Sequence, residues 1–140
     1  MHVSPYLSFK GNCEQAFKFY EKVLGGKIEG IMTWGATPMA KEVPPDWQNK
    51  IIHARLVLDG QDVYGADAPP QYYQQPQGFS VSLGVKQVAE AERVFKALAE
   101  NGTVKMPLQQ TFWSAGFGML IDRFGIPWQV NTEQAATQTA

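Results

Sequence analysis

Between Val3 and Phe9 the chain alternates, with Val3, Pro5, Leu7 and Phe9 on one side and Ser4, Tyr6 and Ser8 on the other. That is the period of a strand packed on one face. Gly11 then turns the chain, and Asn12 followed by Gln15 has the form of a capping box, in which two side chains satisfy the first free N–H groups of a helix. Ala16, Phe17, Tyr20, Val23 and Leu24 recur at helical spacing, and Gly25-Gly26 ends the run. A second strand is expected over Lys27 to Trp34. The following GATPMAKEVPPDWQNK, with Pro38, Pro44 and Pro45, reads as a mobile loop. From Ile51 to Leu58 alternation returns, setting Ile52, Ala54, Leu56 and Leu58 against His53 and Arg55; Asp59-Gly60 is a hairpin turn into a strand over Gln61 to Ala66. The polar stretch DAPPQYYQQPQG closes the first half.

The second half repeats the plan. Val81, Leu83 and Val85 alternate within Phe79 to Val85, and Val88, Ala91, Val94, Phe95 and Leu98 form a helical stripe with Gly102 past its end. Strands are expected over Thr103 to Met106, Phe112 to Ile121 and Ile126 to Asn131. The two helices superpose at an offset of 75, Ala16 with Ala91 and Tyr20 with Phe95, as in a duplicated unit. The expected fold is α+β: two βαβββ modules, residues 1–67 and 79–131, forming curved mixed sheets around a cleft, with a linker at 68–78 and a frayed polar tail at 132–140.

Composition narrows the partners. Twelve Lys and Arg stand against 13 Asp and Glu, a net charge of −1, so there is no basic field to hold nucleic acid. No apolar run reaches the roughly 18 residues of a membrane span, and no export signal opens the chain, so the expected location is cytoplasmic. A lone cysteine, Cys13, and two histidines leave few metal ligands. The expected partner is a small molecule.

A sheet with a helix on one face leaves the other face open. On the open faces alternation places Ser4, Tyr6 and Ser8; His53 and Arg55; Tyr64; Ser80 and Ser82; Gln129 and Asn131, a polar and amphipathic set. His53 is the candidate base, because imidazole titrates near neutrality, and Arg55 beside it is a candidate anchor for an anion. The same pair reads equally as a structural hydrogen bond and a surface ion pair. Tyr64 and Asp67 are candidate ligand-binding groups, as are Ser80, Ser82 and Gln129. Neither serine sits in a nucleophile elbow. Cys13, in the first turn of a helix, reads as a packing or surface residue, the other reading being a thiol activated by the helix dipole. Phe112, Trp113 and Phe117 suit closure over an apolar ring or a subunit contact, and Trp47 with Tyr72-Tyr73 are candidate lid aromatics.

The segments PYLSFKGNCEQAFKFYEKVLGG, IIHARLVLDG and AERVFKALAENGTVKMPLQQTFWSAGFGMLIDRFGIPWQVN resemble the PhnB-like branch of the vicinal oxygen chelate superfamily, which includes glyoxalase I, bleomycin-resistance proteins and extradiol dioxygenases. The resemblance implies paired βαβββ modules and a homodimer. It also implies four metal positions on the first, fourth, fifth and eighth strands, which fall here on Ser4, Tyr64, Ser80 and Gln129, with His2 able to stand in for Ser4. Neutral hydroxyls and an amide are poor ligands for zinc, nickel or iron, so no metal and no cofactor is expected. Some members of the branch are labelled demethylubiquinone methyltransferases, but no Gly-rich nucleotide-binding turn occurs here. Two functions stay open: isomerase or lyase chemistry using His53 and Arg55, or non-catalytic sequestration of a planar compound by a dimer.

Overall fold

The structure is a computed structural model and describes residues 1–136. Two compact units divide the chain, Met1–Gln75 and Pro76–Ala140.

In the first unit, β1 (Tyr6–Phe9), α1 (Cys13–Leu24), β2 (Lys27–Thr33), β3 (Ile51–Leu58) and β4 (Gln61–Asp67) build one four-stranded sheet of order β1-β4-β3-β2. β1 lies parallel to β4 and the other pairs are antiparallel. Leu7, Phe9, Ala54, Leu56 and Val63 pack against Ala16, Phe17, Tyr20 and Val23 of the helix, all buried. This apolar layer is the unit's core. Gly65 is required within it, since an added Cβ would stand 2.6 Å from the Phe17 ring. The Asp59-Gly60 turn forms as expected: both residues have positive φ, 48° and 78°, which matches the twist of the strands it joins.

The second unit has β5 (Val81–Val85), α2 (Val88–Ala99), β6 (Thr103–Gln109), β7 (Phe117–Ile121) and β8 (Pro127–Thr132) in the equivalent order β5-β8-β7-β6. Ala91, Val94, Phe95 and Leu98 bury their stripe on the face carrying Leu120, Trp128 and Val130. Asp122 organises the β7–β8 turn: Oδ1 accepts the N–H of Phe124 and Ile126, and Oδ2 accepts the Trp128 indole N–H at 2.8 Å.

Several expectations are corrected. Asn12 makes no side-chain cap bond. The cap is supplied across the sheet by Asp67, whose Oδ1 accepts from Gly11 and Cys13 at 2.9 Å and whose Oδ2 accepts from Ile51 at 2.8 Å. An ionised carboxylate is a stronger acceptor than an amide oxygen. β3 carries a bulge: Met32 pairs with His53 and Thr33 with Ile51, so Ile51, not Ile52, is the buried residue. The Pro-rich segment forms three short 3₁₀ turns, Trp34–Ala36, Pro38–Glu42 and Pro45–Trp47, two of them starting on proline, where a missing N–H costs nothing. Gln48 Nε2 ties them down by donating to the carbonyls of Ala40 and Val43. Trp47, read as a lid aromatic, is 9% exposed.

In the second unit the strand expected from Phe112 begins at Phe117, and the one expected to end at Met106 continues to Gln109. α2 ends at Ala99, and Asn101, two residues on and just ahead of Gly102, takes the left-handed conformation, φ 58°. Thr132, assigned to the tail, is the last residue of β8 and is 1% exposed. The N–H of Glu133 donates to Val85, and Ala115 donates to Gln134. The remaining tail expectation, residues 137–140, lies outside the described residues.

Candidate functional site

In the first unit, β4 lies between β1 and β3, and alternation turns Tyr6, His53, Arg55, Asp62 and Tyr64 to the face opposite α1. Tyr6 pairs with Tyr64, and Arg55 also pairs with Tyr64, in register. Three rings from three adjacent strands meet as a result. The Tyr6 and Tyr64 rings stack with centroids 6.1 Å apart, and His53 lies 5.9 Å from Tyr6 and 5.4 Å from Tyr64. Tyr6 Oη is 3.2 Å from His53 Nδ1. Partial burial raises the Tyr6 phenol above its ordinary value, with a smaller contribution from the charge of Cys13, so the hydroxyl stays protonated at neutral pH. Tyr6 is nonetheless 54% exposed, leaving much of its surface open to a ligand.

Beside the rings runs a polar chain. Arg55 Nε donates to Asp62 Oδ1 at 2.8 Å, the Tyr64 hydroxyl donates to Asp62 Oδ2 at 3.4 Å, and His2 Nε2 lies 3.2 Å from the same oxygen. The Ser4 hydroxyl is 2.8 Å from His2 Nε2. The hydrogen bond from Arg55 holds the Asp62 carboxyl below the ordinary carboxylate value, and the same bond raises Arg55. Only Nε of the guanidinium is engaged by Asp62, so its terminal nitrogens can meet a second anion.

The structure therefore brings together Ser4, Tyr6, His53, Arg55 and Tyr64. Asp67 stands apart from them: it is 1% exposed and its carboxylate is occupied by three backbone N–H groups, which places it in the frame of the unit rather than on the open face. Sequence reasoning passed over Asp62, the hub of the polar chain. Its position two residues before Tyr64 on β4 was the available signal, since i and i+2 share a face.

On the second unit's open face Ser82 pairs with Gln129, Gln129 with Met119, and Asn131 with both Gly84 and Phe117. Ser80 directly precedes β5. Trp113 packs edge-on against Phe117 at 5.3 Å and against Phe112 at 4.7 Å. The backbone beneath these rings is fixed by Ser114, which is buried: its hydroxyl lies 2.9 Å from the Gly116 carbonyl and 3.0 Å from that of Thr132, and accepts from Gly116 N–H.

A divalent ion does not fit the residues at the superfamily's metal positions. Ser4, Tyr64, Ser80 and Gln129 supply no imidazole and no carboxylate, and the Ser4 and Tyr64 hydroxyls are already bonded to His2 and Asp62. Among the described residues no group of three or more His, Cys, Asp or Glu is placed to hold a metal ion. Among the same residues no helix is long and apolar enough to cross a membrane.

Two four-stranded mixed sheets, each carrying one helix in the βαβββ order, define a protein of the glyoxalase/bleomycin-resistance fold. A glyoxylase/bleomycin resistance protein/dioxygenase domain from Frankia shares it at a TM-score of 0.61 over 94% of both chains, at 14% identity. Residues 1–131 match the family described as 3-demethylubiquinone-9 3-methyltransferase, and the chain belongs to this PhnB-like family, which is consistent with the vicinal oxygen chelate superfamily. Protein YjdN of Escherichia coli K12 is 38% identical over 147 residues, spanning 99% of this chain and 100% of its own. The crystal structure of protein PA1353 from Pseudomonas aeruginosa is similar at 49% identity and a TM-score of 0.87, covering 96% of this chain and 98% of that one. The PhnB protein from Bacillus cereus is 27% identical with a TM-score of 0.80, covering 94% and 99%.

Proposed function

We propose that this protein binds and transforms a small anionic or planar molecule without a metal or cofactor, using the open face of its first unit as the reactive site. The observation that carries this reading is the Tyr6–His53–Tyr64 ring cluster with Arg55 on the same sheet face. Stacked rings offer a planar ligand a large rigid contact, and a guanidinium fixes a carboxylate, phosphate or enolate by paired hydrogen bonds. In the tautomer whose Nδ1–H donates to the Tyr6 oxygen, 3.2 Å away, His53 Nε2 carries the lone pair that takes a proton from a carbon next to a carbonyl. Arg55 offsets the charge of the resulting enolate. With an α-hydroxy carbonyl substrate, the hydroxyl proton passes to the enolate oxygen and His53 returns its proton to the former carbonyl carbon, which gives isomerisation. With a β-substituted substrate the substituent leaves with its bonding pair and takes up the proton held by His53, which gives a lyase reaction. Ser4, Ser80, Ser82, Trp113 and Gln129 serve as ligand contacts on the open faces, in a cytoplasmic homodimer.

Methyl transfer, the reaction in the family's description, finds no support in the sheets: each is mixed and carries one helix, unlike the doubly wound parallel sheet and Gly-rich turn that hold nucleotide cofactors. A second reading, sequestration of a planar compound with no bond broken, is favoured by Phe112 and Trp113, which are 92% and 50% exposed. Thermal-shift screening against dicarbonyl acids, phosphonates and planar antibiotics finds the ligand class, because binding to the native state raises the melting temperature. His53→Ala and Arg55→Ala then separate the two. Lost turnover with retained binding in His53→Ala supports catalysis; binding without turnover by the unsubstituted protein supports sequestration; no stabilisation by any class overturns both.

A further inference from the structure

We propose that the open face of the second unit takes an uncharged aromatic carboxamide, a planar ring carrying an N–H donor, and that Asn131 selects it. The proposal rests on the reading of the open faces as ligand-binding and adds the chemistry that one of them recognises.

Three observations converge on Asn131. Its Oδ1 is buried and has no hydrogen-bond partner among the described residues, although a buried acceptor normally finds a donor. Among the described residues no donor fills that role, so a donor brought by a ligand suits it. Next, Asn131 stands on β8 between Gly84 of β5 and Phe117 of β7. Gly84 leaves the position beside it open, for a Cβ there would meet nothing nearer than Glu133 Oε1 at 3.6 Å. On the other side Phe117 begins the ring series Phe117–Trp113–Phe112, with centroids 5.3 and 4.7 Å apart. In register, Asn131 thus stands between a glycine position with room beside it and an aromatic residue. Ser114 fixes the backbone of that wall, so little order is lost when a ring stacks on it.

The third observation is the state of the remaining polar groups. On the first unit's face Ser4, Tyr6, Tyr64, Asp62 and Arg55 are tied to one another or to a histidine. On the second unit's face Ser82 and Gln129, paired in register one rung from Asn131, are uncharged and have hydrogen bonds to give. A carboxamide matches this set: its N–H₂ donates to Asn131 Oδ1, and its carbonyl accepts from the Gln129 amide or the Ser82 hydroxyl. Ser82, Met119, Gln129, Asn131 and Phe117 carry no charge with which to hold an anion. Glu133 and Lys86, of opposite sign, lie where β8 and β5 end.

The test is a side-chain amide NMR titration of the full chain with benzamide, and with benzoate as the anion of the same ring. Saturable benzamide shifts at the Asn131 amide and the Trp113 indole are expected, with no saturable response to benzoate. Asn131→Leu is expected to weaken binding at least about tenfold, and Trp113→Ala, which removes a half-exposed ring outside the strands, to do the same. Absence of saturation overturns the proposal, as a bridging water at Asn131 would predict. So do equal responses to both probes, or binding that survives both substitutions. If benzamide leaves this face untouched while the thermal-shift screen finds a ligand sensitive to His53→Ala, this inference falls and the functional reading stands. Benzamide saturation at Asn131 with no ligand dependent on His53 or Arg55 supports this inference and removes the assignment of the first face.

Discussion

Asp67 shows how one side chain can fix three segments. Its two oxygens hold the backbone before α1, the first residue of α1 and the first residue of β3. Asp67→Ala leaves three N–H groups without their acceptor in a buried place, and a loss of about 3–5 kcal/mol is expected from urea unfolding. Nearby, burial raises the Cys13 thiol far above its ordinary value, and the charges of Asp67 and Glu14 add to this. The thiol is therefore expected to ignore a disulfide reagent in the native protein and to react fully in denaturant. Asp62 is depressed by its bond to Arg55. A carboxyl with a folded value below its unfolded one adds stability above the unfolded value and loses it as the pH falls through the folded one. Carboxyl NMR should show Asp62 titrating below the ordinary carboxylate range, and Arg55→Gln should move it upward; an unchanged midpoint would show that the ion pair does not hold in solution.

The elements depend on close approach between helix and sheet. Phe17 of α1 lies over Gly65 of β4, and Phe95 of α2 lies over Gly118 of β7, each leaving no room for a Cβ. Gly65→Ala and Gly118→Ala are each expected to cost about 1–3 kcal/mol through overpacking, read as lowered denaturation midpoints with unchanged slope. Both helices, the Asp59-Gly60 hairpin and the sides of the strands that face solvent were legible in the chain, because periods of two and 3.6 survive in the sequence however the elements later pack. The cap of α1 was not. Asn12 and Gln15 have the local form of a capping box, yet the acceptor comes from residue 67, and no local pattern records a partner so distant. The β3 bulge was hidden for the same reason: it is a relation between Ile51–His53 and Met32–Thr33, set by pairing rather than by either segment alone.

For the whole molecule, duplication is the governing fact. Two sheets of equivalent strand order arise from one plan, yet their open faces differ, one with an ion pair and stacked rings, the other with neutral amides and hydroxyls. The proposed homodimer is expected to appear in light scattering as a particle of twice the 15.6 kDa chain mass; a monomer at working concentrations would remove the dimeric form of the sequestration reading. With a net charge of −1, no retention on a nucleic-acid column at physiological salt is expected.

Alternation along the chain assigned Ser4, Tyr6, His53, Arg55 and Tyr64 to one side of their strands, because side-chain direction in a strand is a local consequence of the backbone. It could not say that Asp62 would join Arg55, Tyr64 and His2, that Asp67 would be spent on backbone, or that Asn131 would be left with a buried acceptor. Those outcomes depend on which strands lie side by side and at what register, and hydrogen-bond pairing across distant segments exists only once the chain has folded.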